Sequence, residues 1–200
     1  MNDRNYRAVV IGGSAGGLEA LSSILEALPN GFVLPLLVAQ HLHPTDSGYL
    51  AEHLNKLCAL RVSEARDKES IQAGHVYLAP ANYHLLVERD ETLSLSVDDK
   101  VRWSRPSIDV LFDSAARTWG RQLIAVILSG ANDDGTEGMG LIKRLGGLTI
   151  AQDPRSAAHP VMPQAAITAN HVERILAPKE IATLLVELAR SGTLTAEAEE

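Results

Sequence analysis

The chain has little cysteine, no excess of positive charge and no long apolar run. Its 200 residues include one cysteine, and its formal net charge is −7 at pH 7. One cysteine excludes an internal disulfide and fits a reducing compartment, while the acidic balance argues against the basic surface typical of nucleic-acid-binding proteins. A membrane-spanning helix needs about 20 consecutive apolar residues, and neither such a run nor a signal-peptide core at residues 1–5 is present. We therefore expect a cytoplasmic protein that neither inserts into membranes nor binds nucleic acid.

Hydrophobic residues make up 46% of the chain, which argues against extensive disorder. The length suits one α/β domain with a sizeable core and is too short for two. We predict a single domain over residues 1–190, followed by a flexible acidic tail or linker at residues 191–200. Cys58 lies among apolar neighbours, so we predict a packed thiol rather than a reactive one.

Strand and helix patterns alternate along most of the chain. Short apolar runs predict strands at residues 8–11, 32–39, 61–65, 123–128, 148–151 and 174–176. Helical patterns are found at residues 18–28, 47–57, 108–119, 136–145, 161–169 and from residue 178 onward. This alternation predicts an α/β fold with a doubly wound, mainly parallel sheet. Pro35 argues against a central place for the second strand, because proline cannot donate to the ladder.

Residues 74–97 have a different period. Short strand-like segments at 76–79, 84–88 and 93–97 are joined by turn sequences, and the last alternates polar with apolar residues. Such alternation is typical of an antiparallel strand with one solvated face. We predict a small antiparallel hairpin region here, followed by a loop at residues 98–106.

A glycine turn follows the first predicted strand and carries one serine. Residues 12–17 read Gly-Gly-Ser-Ala-Gly-Gly, and residues 12–16 match G-x-S-x-G, a pattern that exposes a nucleophilic hydroxyl between a strand and a helix. Glycine-rich turns of this kind also bind phosphates at the start of the following helix. The dinucleotide fingerprint, however, requires a second glycine where Ser14 stands. Taken alone, the turn leaves both interpretations open.

Two other predicted strands end in residues that complement a serine. His41 follows the second strand, and Asp133 and Asp134 follow the strand at 123–128. Because the carboxyl ends of parallel strands share one edge of a sheet, Ser14, His41 and an aspartate are expected to converge there. An imidazole accepts the serine proton, and a carboxylate orients the imidazole. One of the two aspartates is also suited to cap the helix that begins at Thr136.

Several segments, taken in order, resemble the catalytic domain of the CheB family of chemotaxis protein-glutamate methylesterases. The resemblance covers about residues 7–188. It rests on residues 11–21, 40–41, 74–80, 105–112, 128–130, 134–139 and 162–163.

The resemblance implies a Ser-His-Asp hydrolase that removes methyl groups from glutamate esters on chemoreceptor helices, and that deamidates receptor glutamines as well. By position, Ser14 matches the nucleophile, His41 the general base and Asp134 the third member, in preference to Asp133. It implies no metal and no organic cofactor. The partner it implies is the cytoplasmic helices of a methylated chemoreceptor.

The chain departs from the family pattern in three ways. Ala15 replaces the usual threonine after the nucleophile, and Ala131 and Asn132 replace methionine and glycine. The resemblance suggests that the backbone N–H of Ala131 contributes to the oxyanion hole. The usual N-terminal receiver domain is not seen, so we expect a stand-alone enzyme or one domain of a longer chain, with a receiver acting in trans or on that chain. A Rossmann-like nucleotide-binding module and a catalytically weak signalling domain are the two alternative hypotheses.

Overall fold

The computed structural model describes residues 5–41 and 48–196. Its main sheet has seven strands in the order β3-β4-β2-β1-β7-β8-β9, and every neighbouring pair is parallel. These strands are β1 (Ala8–Gly13), β2 (Leu36–Gln40), β3 (Arg61–Glu64), β4 (His75–Leu78), β7 (Leu123–Ile127), β8 (Leu148–Gln152) and β9 (Arg174–Leu176). A separate antiparallel pair is formed by β5 (His84–Val87) and β6 (Leu93–Ser96). The predicted doubly wound α/β class is confirmed.

Helices cover both faces of the main sheet. They are α1 (Gly17–Ala27), α2 (Tyr49–Leu57), α3 (Ile108–Trp119), α4 (Thr136–Arg144), α5 (Val161–Thr168) and α6 (Pro178–Ala196). One core cluster joins a face of the sheet to α1, α2 and α6, and the other joins the opposite face to α3, α4, α5 and the antiparallel pair. Because both faces are covered, the central strands are fully buried, and Gln40 at the end of β2 is their one polar residue.

Helix α3 illustrates how the sequence produces this packing. Its buried residues recur at the spacing of one helical face: Ile108, Leu111, Phe112, Ala115, Ala116 and Trp119. Each large apolar side chain that is fully buried stabilises the fold by about 1.5–3 kcal/mol. This face fixes the N-terminus of α3 beneath the end of the sheet, where the candidate site lies.

Two predicted strands differ from the observed ones. Strand β2 begins at Leu36, not at residue 32, and it lies inside the sheet between β1 and β4. Pro35 precedes the strand, and its carbonyl accepts a hydrogen bond from the Val9 N–H (3.0 Å). The missing proline N–H therefore removes no ladder bond, and the expectation from Pro35 was wrong. Strand β4 belongs to the parallel sheet, so only β5 and β6 form the predicted antiparallel region.

The C-terminal end of the described chain is helical to Ala196. Residues 197–200 lie outside the described residues, and the division between domain and tail at residue 190 stays a prediction. The predicted capping residue of α2, Ser47, also lies outside them. Among the described residues, no helix combines the length and apolar character needed to cross a bilayer.

The course of the chain reverses at the middle of the sheet. From β1 the chain moves to β2 on one side, whereas β7 lies on the other side of β1 and leads outward to β8 and β9. Ligand sites of doubly wound sheets lie at such a reversal, beyond the carboxyl ends of the strands. Strands β1, β2 and β7 all end at this edge, and the segments that follow them begin there.

Candidate active site

The turn after β1 places Ser14 at the carboxyl edge of the sheet. The Ser14 N–H donates to the Ser129 carbonyl (2.9 Å), and the Gly17 N–H donates back to the Ser14 carbonyl (2.8 Å). Gly16 has a φ of 70°, a conformation that L side chains rarely adopt. The backbone at Ser14 is therefore fixed, while its side chain remains partly exposed.

Gly12 permits a close approach between β1 and α3. A Cβ atom built on Gly12 would overlap Cγ2 of Ile108. Ile108 is the first residue of α3, so this glycine lets the start of α3 lie directly against the strand that carries Ser14.

His41 directly follows strand β2, and the Gln40 side chain connects His41 to the serine turn by hydrogen bonds. The His41 N–H donates to the Gly13 carbonyl (3.0 Å). The buried amide of Gln40 donates through Nε2 to the carbonyls of Ser14 (2.8 Å) and His41 (3.3 Å). One side chain thus fixes the backbone of both residues relative to each other.

Ser14, His41 and Asp134 form a continuous hydrogen-bonded chain. His41 Nδ1 lies 3.2 Å from Ser14 Oγ, and His41 Nε2 lies 2.8 Å from Asp134 Oδ2. An ionised carboxylate only accepts hydrogen bonds, so Nε2 carries the proton, and the Nδ1 lone pair faces the serine hydroxyl. The three residues predicted from the strand ends are therefore brought together, in a geometry suited to proton transfer from serine to imidazole.

Asp134 is fully buried, and each of its carboxylate oxygens accepts two hydrogen bonds. Its Oδ1 accepts from the Ser107 hydroxyl (3.0 Å) and the Asp109 N–H (3.0 Å), and its Oδ2 accepts from the Ile108 N–H (2.8 Å) as well as from His41. The carboxylate therefore caps the N-terminus of α3, where free N–H groups favour negative charge. This cap holds both oxygens in place.

Two neighbouring carboxyls have pKa values that move in opposite directions. Burial raises the pKa of Asp134, but the hydrogen bonds from His41, Ile108 and Asp109 outweigh it and leave that pKa below its usual value. The pKa of Asp109 is raised, first by burial and further by the nearby charge of Asp134. At neutral pH, Asp134 is accordingly the carboxylate that supports an imidazolium on His41.

Asp133 takes no part in this chain. Its carboxylate is exposed and pairs with Arg102 Nη1 (2.6 Å), while Arg102 Nε contacts Asp109 (3.2 Å). The sequence predicted that one of the two aspartates caps the helix at Thr136. That expectation was wrong, because Asp134 caps α3, Asp133 binds Arg102, and the residue preceding α4 is Gly135 at a φ of 96°.

Comparison with known proteins shows the family. A family model described as CheB methylesterase matches residues 9–185. The chain belongs to the CheB methylesterase family. The catalytic domain of the CheB methylesterase of Thermotoga maritima superposes with a TM-score of 0.88 at 35% identity, covering 92% of this chain and 98% of that one.

Curated relatives of this chain differ in length. A Leptospira interrogans protein is 47% identical over 92% of this chain and 95% of its own length, and is provisionally named a protein-glutamate methylesterase/protein-glutamine glutaminase. Relatives with that same name from Symbiobacterium thermophilum and Pseudomonas aeruginosa are 35% and 37% identical over 93% and 94% of this chain. The chain spans only 51% and 54% of their lengths.

Backbone N–H groups near Ser14 differ in their availability to a substrate. The Gly130 N–H donates to the His159 carbonyl (2.9 Å) and is committed, as is that of Ser14. Within the described residues, the N–H groups of Ala15 and Ala131 have no hydrogen-bond acceptor. Both alanines are among the departures from the CheB pattern, and a change of side chain leaves a backbone donor in place.

His84 contacts the loop that leads into α3. The ring is buried, accepts at Nδ1 from the Ser107 N–H (3.1 Å), and donates from Nε2 to the Asp99 carbonyl (3.1 Å). It supports the loop that presents Ser107 to Asp134.

The predicted packed thiol of Cys58 lies 3.4 Å from the Leu60 carbonyl, and burial raises its pKa.

Sequence reasoning assigned no role to Ser107 or Gln40. Ser107 precedes α3 and has the residue type of a helix cap, yet its hydroxyl binds Asp134 instead of its own helix. Gln40 directly precedes His41 in a segment that resembles the family. Its position next to His41 is the one feature of the sequence that could have indicated a role for it. Among the described residues, no group of three or more His, Cys, Asp or Glu side chains is arranged to hold a metal ion.

Proposed function

We propose that this chain hydrolyses γ-methyl esters of glutamate side chains on methylated chemoreceptors, with Ser14 as the nucleophile. The observation that supports this most is the hydrogen-bonded chain from Ser14 through His41 to the buried Asp134, in a member of the CheB methylesterase family. Serine needs a neutral imidazole to remove its proton, and the imidazole needs a carboxylate to hold its tautomer.

Acylation begins with attack of Ser14 Oγ on the ester carbonyl carbon. His41 Nδ1 takes the hydroxyl proton, and Asp134 stabilises the imidazolium through Nε2–H. The N–H groups of Ala15 and Ala131 donate to the oxyanion of the tetrahedral intermediate. His41 then protonates the departing methoxy group, methanol leaves, and the glutamyl group remains as an ester on Ser14.

Deacylation repeats these steps with water. His41 removes a proton from the attacking water, and Ser14 Oγ leaves with that proton, which restores the enzyme and releases a glutamate carboxylate. A glutamine side chain follows the same course with ammonia as the leaving group. No step requires a metal or an organic cofactor.

The glycine turn favours this function over nucleotide binding. Ser14 stands where the dinucleotide fingerprint requires a glycine. The N–H groups of Ser14 and Gly17 donate to carbonyls of the protein, which leaves the Ala15 N–H of this turn to bind an oxyanion. The proposed partner is the cytoplasmic helices of a methyl-accepting receptor, and we therefore propose a cytoplasmic location. We also propose that a receiver domain, in trans or on a longer chain, regulates this domain.

Methanol release from a methylated receptor fragment tests the function. We expect Ser14→Ala and His41→Ala to reduce the rate by at least about 10³-fold, with circular dichroism showing that both variants remain folded. Wild-type turnover by Ser14→Ala would refute the mechanism. A titration with nucleotides, followed by thermal shift, is expected to give no stabilisation, and a saturable shift would favour the nucleotide-binding alternative.

A further inference from the structure

Four exposed apolar side chains lie on neighbouring segments at the loop that leads into α3. They are Tyr83, Val97, Val101 and Trp103, and we call them the Trp103 patch. Trp103 is 94% exposed and Val97 is 64% exposed. An exposed tryptophan is unusual in a soluble domain, and clustered exposed apolar groups mark interaction sites.

The segments that carry the patch are held together by hydrogen bonds. Strands β5 and β6 pair His84 with Ser96, so the antiparallel register places Tyr83 opposite Val97. The Arg105 guanidinium donates to Asn82 Oδ1 (2.8 Å) and to the carbonyls of Val97 and Asp98. These hydrogen bonds hold the segments that carry the patch next to one another.

Trp103 stands at the tip of a tight turn with an unusual backbone. Val101 and Ser104 exchange both backbone hydrogen bonds (3.2 and 2.9 Å), and the two residues between them, Arg102 and Trp103, have φ values of 48° and 65°. Two consecutive non-glycine residues in this region are unfavourable and persist only when the surroundings impose them. The Arg102 side chain also connects this turn to Asp109 and Asp133 through ion pairs.

These ion pairs connect the patch to the candidate active site. Asp133 directly precedes Asp134, with α-carbons about 3.8 Å apart. Four residues beyond Trp103, the Ser107 hydroxyl donates to the Asp134 carboxylate. The patch is therefore linked to the residues around Asp134, and among the described residues none of its side chains hydrogen-bonds Ser14 or His41.

We propose that the Trp103 patch docks a cytoplasmic helix of the methylated chemoreceptor, by packing against apolar side chains next to the ester-bearing glutamate. This inference rests on the proposed function for its partner. A rigid aromatic anchor loses little conformational freedom on binding, and tryptophan is the residue type most enriched among binding hot spots. The patch contributes to affinity for a protein substrate and not to the chemistry, since its side chains lie outside the hydrogen-bonded chain at Ser14.

Two substrates distinguish docking from chemistry. The first is a methylated receptor fragment, and the second is N-acetyl-glutamate γ-methyl ester amide, which is too small to reach the patch. We expect Trp103→Ala to lower kcat/KM for the fragment by about tenfold or more, mostly through KM, and to leave the small ester within about twofold. Trp103→Phe should retain most of the activity on the fragment. Ile175→Ala, an exposed apolar residue on the far edge strand β9, is the matched control. Equal effects of Trp103→Ala on both substrates, or none on either, would overturn the proposal.

A binding measurement separates this proposal from the proposed function. In a Ser14→Ala background, we expect the tryptophan emission to shift to shorter wavelength when the fragment binds, because Trp103 becomes buried whereas Trp119 is buried already. Adding Trp103→Ala should weaken the Kd by about tenfold. An unchanged Kd would refute the docking role, even if the enzyme hydrolyses esters. A dimer of the free protein that dissociates on Trp103→Ala would assign the patch to self-association and would also refute it.

Discussion

Replacement of Asp134 by asparagine perturbs the candidate site with almost no change in size. Both carboxylate oxygens accept a backbone N–H of α3: Oδ1 that of Asp109 and Oδ2 that of Ile108. Asparagine offers one acceptor oxygen and one NH₂ donor. Whichever way the amide turns, its NH₂ faces one of these N–H groups and leaves it without an acceptor. A buried donor without a partner costs about 1–3 kcal/mol of unfolding free energy.

The same substitution impairs proton transfer. If the amide NH₂ occupies the Oδ2 position, it donates to His41 Nε2, and the imidazole proton moves to Nδ1, which then cannot accept the Ser14 proton. If the amide oxygen occupies that position, the tautomer survives, but the negative charge that stabilises the imidazolium is gone. Removal of the corresponding charge from a serine protease costs about 10⁴-fold in kcat. We expect Asp134→Asn to lower kcat by roughly 10³- to 10⁴-fold.

Methanol release from the small ester measures this effect, and urea denaturation measures the stability. Asp133→Asn is the matched control, since its carboxylate is exposed and its pair with Arg102 is worth at most about 1 kcal/mol. We expect that variant to keep kcat within about threefold of the wild type. A kcat for Asp134→Asn within about tenfold of the wild type would refute the reasoning, as would equal losses in the two variants.

The remaining predictions concern acid stability, packing and reactivity. Because its pKa is lowered in the folded state, Asp134 stabilises the protein at pH values above its ordinary pKa. This stabilisation is lost as pH falls through the lower pKa of the folded state. Below about pH 4, the free energy of unfolding in urea should therefore fall more steeply for the wild type than for Asp134→Asn. Gly12→Ala should displace the start of α3 and destabilise the protein by about 1–3 kcal/mol in the same assay, and an unchanged midpoint would contradict the close packing described. Gln40→Met removes both donors to the Ser14 and His41 carbonyls, so kcat on the small ester should fall by about tenfold; full activity would show that this tether is unnecessary. Burial raises the pKa of Cys58, so iodoacetamide should alkylate it more slowly in native than in unfolded protein at pH 7.5, and equal rates would contradict a packed thiol.

The fold was largely predictable because the buried central strands are almost entirely apolar and the helices between them are amphipathic. The errors came from features that local sequence does not determine. Pro35 has the residue type of a strand breaker, but its effect depends on whether it lies inside the ladder or just before it. Strand β4 is as short as β5 and β6, and its place in the parallel sheet is decided by pairing with β2 and β3, which are distant in sequence.

For the candidate site, strand ends predicted which residues meet but not what surrounds them. Ser14, His41 and Asp134 each follow a parallel strand, so topology alone brings them to one edge. Their catalytic roles stay predictions. The support for Asp134 comes from the start of α3, 26 residues earlier in the chain at Ile108, and no local pattern signals that contact.

The most direct test of the central claim is to map the residue that a serine-reactive phosphonate ester modifies, using mass spectrometry of the digested protein. Phosphonates react with a serine that an adjacent base has activated. We predict one equivalent of label on the peptide that contains Ser14, with labelling abolished in His41→Ala and strongly slowed in Asp134→Asn. Methanol release by a protein labelled elsewhere, or left unlabelled, would contradict the assignment of Ser14 as the nucleophile.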